Sequence, residues 1–441
     1  MATLAPQILW WRVAEVRFVL LLVLVLWVHL GDLTSAWLYS FWPPAAELRY
    51  LRDGLAITLA ACCLLTTRLP TSLLLPMLGY GGLAAIYLIL TVGGAPLSLQ
   101  IASFGTLVIP LLFFLAAYYC VRTPRQLRTL SGCLVVLALA STLFGAWDQQ
   151  NSEFWLYGID YPRYMLEVKG MLVGGNPENG LPWNFYGGIE QARRAAGLLA
   201  SPLAQGMFLC VGALLAVAWL QGRASMFGLL LCAVLFAGIW MSGTRGAMLA
   251  AGLALLGYLF CDRTLLPGRG WRWLILGASA VAIVVASWQI VIMSVKFLDG
   301  STIGHWIALQ KNLQDLPRVL LFGAGLGQQG GMAGNMAAAT IGGGEGAIFS
   351  IAFQLGLPAT LLFLLFLGNL ALQLWHHYRT QREPLALAAT WLLLGISTTL
   401  ISSEHMLSVS GSGALWLLCG AALRSPAQSE QRTSHDAEQV V

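Results

Sequence analysis

Four short stretches of this 441-residue sequence set ionisable side chains beside apolar runs, where a charge is costly and therefore informative. In Glu190-Gln-Ala-Arg193-Arg194-Ala-Ala-Gly197-Leu-Leu-Ala-Ser201-Pro202, adjacent arginines precede an apolar run. Guanidinium groups bind phosphate through paired hydrogen bonds and keep their charge when partly desolvated. Arg193 and Arg194 therefore suit a lipid-linked phosphate or pyrophosphate. The plain alternative is that both snorkel to lipid headgroups, with Glu190 as a helical partner. Arg245 stands in Ser242-Gly-Thr-Arg245-Gly246, a tight turn between two apolar runs. A single Arg in so short a turn points to anion binding, with a bland membrane anchor as the alternative.

The third stretch runs from Gly304-His305-Trp306 through Lys311-Asn312 and Asp315-Leu-Pro317-Arg318 to Phe322-Gly323-Ala-Gly325-Leu-Gly327. The spacing of Trp306, Leu309 and Leu313 predicts an amphipathic helix lying on the membrane surface, closed by Pro317. No strand and helix frame the glycines that follow, so they are not read as a dinucleotide or phosphate-binding loop. The fourth stretch, Gly342-Gly-Gly-Glu345-Gly346, places an acid just before an apolar run. Glu345 is either a general base for a substrate hydroxyl or a carboxylate that only satisfies backbone donors at a helix start. His305, and His405 in Ser403-Glu404-His405-Met406, are secondary candidates, although a lone His is more often a structural hydrogen-bonding group. HExxH, paired CxxC and Gly-x-Ser-x-Gly patterns are all missing, so no metal and no cofactor are expected and zinc or serine hydrolysis lacks support.

The elements that must position these groups are membrane helices. Hydrophobic residues make up 58% of the chain and charged residues 10%, against about a quarter charged in a soluble domain. At roughly 20 apolar residues per crossing, the apolar runs predict an all-α polytopic membrane protein with about twelve transmembrane helices. They lie near Phe18–Thr34, Leu51–Thr67, Ser72–Val92, Leu97–Tyr119, Thr129–Ala146, Ala196–Leu220, Met226–Met241, Ala247–Cys261, Trp273–Met293, Ala347–Trp375, Leu385–Ile401 and Gly411–Ala422. Arginines cluster in alternate short connections, which puts both termini in the cytoplasm. Two long loops, 147–195 and 294–346, then face outward. They hold aromatics, prolines and glycines rather than a solvating charge run, and are expected to fold over the mouth of the bundle. Residues 1–424 thus form one membrane domain, and 425–441 a disordered cytoplasmic tail.

The same composition excludes several classes. Runs such as Phe18 to Val28 are apolar on nearly every face, unlike the period-two strands of a membrane barrel. The first apolar run leads into Gly31-Asp32-Leu33 without a small-x-small cleavage site, so it reads as a retained span. All eight cysteines sit in or at the ends of apolar segments and read as packing residues. The net charge of +5 comes from scattered cations, so no nucleic acid is expected as a partner.

Taken together, Arg194-x-x-Gly197 with Ser201-Pro202, Ser242-Gly-Thr-Arg245-Gly246, Phe322-Gly323-Ala-Gly325-Leu-Gly327, and Glu345 eleven residues before Gly356 resemble the bacterial O-antigen ligase and Wzy-type polysaccharide polymerase superfamily. The resemblance covers roughly residues 190 to 370, with order, spacing and sidedness in agreement. It implies a metal-independent transfer of a glycan from an undecaprenyl-diphosphate-linked oligosaccharide to an acceptor sugar hydroxyl, on the periplasmic face of the bacterial cytoplasmic (inner) membrane. It also implies that Arg194 and Arg245 hold the diphosphate, with Arg193 and Arg318 as helpers and Glu345 as the catalytic group. Glu345-Gly346 stands where the ligases carry a His followed by Asn, Ser or Gln. That departure favours the polymerase branch, making exopolysaccharide, capsule or O-antigen, over the ligase alternative. Expected partners are the lipid-linked donor, membrane lipid, a chain-length regulator and export machinery.

The competing class is a secondary transporter or a lipid-linked glycan flippase, which twelve helices and cytoplasmic termini also suit. Such carriers show internal repeats and mid-span charges. No trusted repeat is found here, and no span from the third onward, as bounded above, contains Asp, Glu, Lys or Arg. A structural scaffold, the third class, would leave Arg245 and Glu345 replaceable.

Overall fold

Lipid offers backbone groups no hydrogen-bond partner, so apolar runs of this length fold as helices that satisfy themselves. The computed structural model describes residues 4–170, 180–187, 192–221, 225–262, 300–330 and 341–424, with isolated positions between 270 and 296. Its helices are α1 (Leu4–Tyr39), α2 (Leu48–Thr66), α3 (Thr71–Ile89), α4 (Leu97–Cys120), α5 (Pro124–Asp148), α6 (Tyr161–Glu167), α7 (Pro202–Trp219), α8 (Ser225–Ser242), α9 (Arg245–Cys261), α10 (Gly300–Val319), α11 (Ala347–Gln381), α12 (Pro384–Ser397) and α13 (Val409–Arg424). A two-residue hairpin, Tyr186–Gly187 with Ala192–Arg193, supplies the strands among the described residues.

Among the described residues, seven helices are long and apolar enough to cross a membrane: α1 from Glu15 onward, α3, α4, α5, α7, α8 and α11. This is the architecture of an all-α, polytopic membrane protein. The other predicted spans are weaker or undescribed. α9 and α12 are shorter apolar helices. α2 opens with Arg49, Arg52 and Asp53, and α13 has 16 residues. Most of the predicted span 273–293, and the tail 425–441, lie outside the described residues.

Helix starts follow their capping residues. Thr123 accepts from Gln126 N at 3.2 Å ahead of Pro124, and Ser201 accepts from Ala204 N at 3.4 Å ahead of Pro202. The second cap corrects the expectation that the span begins at Ala196. Residues 197–199 form a separate turn, Ala200 has left-handed backbone, and α7 begins only at Pro202. Arg194 is therefore held by a loop. α7 is the hub of the bundle, buried along nearly its whole length and packed against α5, α8, α9, α12 and α13.

The described residues of the loop between α5 and α7 are folded. Trp155, Tyr161, Tyr164 and Phe185 pack with Tyr39 of α1 into a second apolar core. Lys169 reaches back to Asp32 of α1 at 2.8 Å, and Tyr39 donates to Glu167 at 2.6 Å, which ties this cap to the bundle.

The glycine-rich stretch after α10 has a structural role. α11 breaks at Gly356, whose φ of 81° and ψ of 178° are not helical. Leu357 N donates to Leu320 O at 2.7 Å, and the carbonyls of Phe353 and Gln354 accept from Ala324 N at 2.6 Å and Gly325 N at 3.1 Å. Residues 320–325 thus lock the break, and their closeness demands glycine. A Cβ on Gly356 would meet the Leu321 carbonyl oxygen at 2.3 Å.

Candidate functional site

The site is built on one stripe of α10. The exposure of Ile303, Trp306, Ile307 and Leu313 fits the amphipathic surface helix expected from the sequence, whose apolar side faces lipid. The stripe that meets the rest of the protein is Thr302, His305, Ala308, Asn312 and Asp315, spaced three or four residues apart on one helical face. Pro317 does not close the helix, which runs on to Val319.

That stripe grips residues 342–345. Asn312, 1% exposed, accepts from Gly343 N at 2.8 Å and from Gln329 at 2.9 Å, and donates to the Glu345 carbonyl at 3.0 Å. Asp315 accepts from Gly342 N at 3.2 Å. Gly343 lies so close to the helix that an added Cβ would meet Ala308 O at 2.2 Å. Held in this way, the Glu345 carboxylate accepts a hydrogen bond from Nδ1 of His305. The two side chains are 40% and 48% exposed, open enough for a substrate to reach.

The sequence left open whether Glu345 is a base or a helix cap. The geometry separates these roles. The first donors of α11 are taken elsewhere, Ala347 N by Ser403 O at 2.9 Å and Ile348 N by Leu400 O at 3.1 Å, and no side chain caps this helix. Glu345 points its carboxylate at an imidazole instead.

The arginines approach from the α8–α9 turn. Arg194 donates to Ser242 O at 2.7 Å and to Thr244 Oγ1 at 3.0 Å, while Thr244 donates to Pro202 O at 2.9 Å. Burial and the neighbouring Arg245 lower the pKa of Arg194 to about 10, so it remains ionised at neutral pH. Arg245 begins α9 and donates to Thr302 at 3.0 Å, one turn of α10 before His305. The charge of Arg245 acts on Arg194 unfavourably, and an anion bound beside both relieves that repulsion.

His405 joins the same cluster. It opens the short turn His405–Leu407 after α12, and desolvation, then the charges of Arg194 and His305, lower its pKa to about 4. It is therefore a neutral imidazole near pH 7. Arg245 and Glu345 are thus both tied to α10, and the charges of Arg194 and His305 act on His405.

Two other candidates are placed differently. Arg193 is engaged inside the protein, donating to buried Asp148 at 3.2 Å and lying over the Phe185 ring at 4.6 Å. Asp148 also accepts from Ala196 N at 3.1 Å and Gly197 N at 2.7 Å, so this pair anchors the loop that presents Arg194. The α5 helix reaches Asp148, two residues beyond the predicted span. Arg318 is 77% exposed and pairs with Asp315 at 3.0 Å, on the rim. The proposed partner of the arginines, Glu190, lies outside the described residues.

Sequence reasoning missed Thr302, Asn312 and Asp315. Their signal was the polar spacing 302, 305, 312, 315, readable once the helix is indexed by polar rather than apolar residues. All eight cysteines are free thiols, buried or part-buried. Among the described residues, no three His, Cys, Asp or Glu side chains are grouped to hold a metal. Neither a family model nor a curated protein matches the sequence.

Proposed function

We propose that this chain is a polysaccharide polymerase of the bacterial cytoplasmic membrane, transferring a glycan from a polyprenyl diphosphate to an acceptor sugar hydroxyl at the outer face. The observation that supports it best is the linkage of two sites by one turn of α10. Thr302 holds Arg245, whose charge acts on Arg194, and His305 holds Glu345. Cations and a proton acceptor carried on adjacent turns of one helix suit a displacement in which charge develops at both ends.

In the proposed reaction the acceptor hydroxyl gives its proton to the Glu345–His305 pair as its oxygen attacks the anomeric carbon. The bond from that carbon to the diphosphate oxygen breaks, and the diphosphate leaves with the electron pair, neutralised by Arg194 and Arg245. In the tautomer with Nδ1–H of His305 donating to the Glu345 carboxylate, Nε2 is the basic nitrogen of the ring. The attack inverts the anomeric centre, and a product retaining the donor configuration would contradict it.

The break at Gly356 does not favour the carrier reading. Discontinuous transport helices leave freed backbone groups to coordinate cargo, whereas here residues 320–325 occupy them. Deletion of the protein tests the classes. A polymerase predicts accumulated single lipid-linked repeat units and no long chains. A ligase predicts intact polymer stranded on its lipid, and a flippase predicts units trapped at the inner face. Only the first result supports the proposal.

A further inference from the structure

The end of the bundle away from His405 carries a second set of cations. α13 starts just after the His405 turn and spans about 24 Å at 1.5 Å per residue, so its last residue, Arg424, lies towards the opposite membrane face. Arg17 of α1 and Arg122, in the turn between α4 and α5, meet it there. Arg17 lies 4.6 Å from the centre of the Tyr119 ring, Arg122 lies 5.8 Å from the same ring, and Arg424 lies 5.5 Å from the adjacent Tyr118 ring. Both tyrosines belong to the last turn of α4, and the Tyr118 hydroxyl donates to Arg68 O at 3.3 Å. Three separate elements thus bring three half-buried guanidiniums to one pair of rings.

Arg122 is held in place by the protein. Its Nε donates to Tyr119 O at 3.0 Å, one terminal nitrogen donates to Thr67 Oγ1 at 3.3 Å, and its backbone N–H donates to Gln126 Oε1 at 2.8 Å. The other guanidinium donors stay open. Among the described residues no carboxylate pairs with Arg17, Arg122 or Arg424, and Glu15, on the same helix as Arg17, is exposed. Burial first, then the charges of Arg424 and Arg17, lower the pKa of Arg122, so its neighbours oppose its charge. Arginines on one side of a membrane protein are an ordinary topology signal, and exposed Arg68 and Arg125 need no other account. Topology does not require cations to be gathered, half-buried and left without an acid. That arrangement calls for an anion from outside the chain.

We infer that Arg17, Arg122 and Arg424 form a binding site for the headgroup phosphate of an anionic phospholipid, in the leaflet opposite the candidate functional site. Depth selects a lipid as the source of the anion. α1 continues from Arg17 into exposed Val19, Leu20 and Val23, and α2 ends with exposed Leu64 and Leu65, so apolar surface flanks the cluster. Cations at such an edge lie at the level of the headgroups, where basic pockets between helices take lipid phosphates. The guanidinium fork matches phosphate oxygens, and the anion offsets the mutual repulsion of the three. A lipid bound there joins α1, the α4–α5 turn and α13, and stabilises the folded chain by mass action.

The test uses the full-length protein in phosphatidylcholine nanodiscs with and without phosphatidylglycerol, and needs no glycan substrate. Native mass spectrometry should show phosphatidylglycerol retained in preference to phosphatidylcholine, and the melting temperature should rise with its fraction. Arg17→Gln combined with Arg424→Gln should weaken that retention by about ten- to thirtyfold, at roughly fivefold for each arginine. An unchanged melting temperature in pure phosphatidylcholine shows that this variant is folded; should it unfold, Arg424→Gln alone carries the test with a loss of about fivefold. Arg68→Gln combined with Arg125→Gln removes the same charge from exposed positions and should leave retention within about twofold of native. Equal losses in the two double variants would overturn the inference, because retention would follow surface charge alone, and so would equal retention of the two lipids by the native protein. Inorganic phosphate that stabilises the protein in pure phosphatidylcholine as much as phosphatidylglycerol does would assign the site to a soluble anion and contradict the lipid.

Discussion

Nδ1 of His305 donates to Oε2 of Glu345, joining side chains 40 residues apart that enter from α10 and from the start of α11. Neither residue is forced into this contact by its neighbours in sequence. The contact exists because Asn312 and Asp315 fix residues 342–345 against the same helix.

If the pair takes up the proton as one unit, removing either member removes the unit. Glu345→Gln and His305→Gln should each lower kcat by about 10²- to 10⁴-fold, with the double variant no slower than the worse single one. A double-mutant cycle on elongation rate measures this. Multiplying effects would mean that the two residues act separately.

The arginine pair makes a different prediction. Arg245→Ala and Arg194→Ala should lower turnover by about 10²- to 10³-fold. Lysine at either place should recover only part, because an ammonium does not reproduce the guanidinium fork. Inorganic pyrophosphate should inhibit the native protein and lose potency against both variants. Undiminished inhibition of the Arg245→Ala protein would show that the anion binds elsewhere.

Arg193 should matter to folding instead. Asp148 is fully buried, and removing one partner of a buried ion pair costs about 3–5 kcal/mol. Asp148→Ala should therefore lower the thermal midpoint sharply. Asp148→Asn combined with Arg193→Met should recover part of the loss, with the donor KM close to native in the protein that survives. A large rise in KM for the double variant would restore Arg193 to the binding site.

His405 sets a pH dependence of stability. Its pKa is lowered from 6.5 to about 4, so between those values the unfolded chain binds more protons than the folded one. The stability it contributes is complete above pH 6.5 and is lost as the pH falls towards 4. His405→Gln should flatten the melting temperature over that interval. An equal acid slope in both proteins would assign the effect to other groups.

The helical, membrane-bound architecture was legible because uninterrupted apolar runs admit few other structures, but the helix starts at Thr123-Pro124 and Ser201-Pro202 went unrecognised, the spans being placed from Thr129 and Ala196 instead. Arg194 and Arg245 were legible because a charge beside an apolar run needs a reason. Less legible was α10. Its apolar spacing pointed to the correct helix, but the polar stripe that packs against residues 342–345 went unread, since those partners are distant in sequence. Arg193 and Arg194 are adjacent and alike in sequence, and only the burial of Asp148 separates an anchoring cation from one beside Arg245. The break at Gly356 was hidden because the hydrogen bonds that sustain it come from residues 320–325.

The most direct test reconstitutes the purified protein with a lipid-linked single repeat unit and follows product length together with polyprenyl diphosphate release. The native chain should build polymer and release one diphosphate per bond formed, while Glu345→Gln and Arg245→Ala leave the single unit unextended. Native-length polymer from both variants would contradict the account.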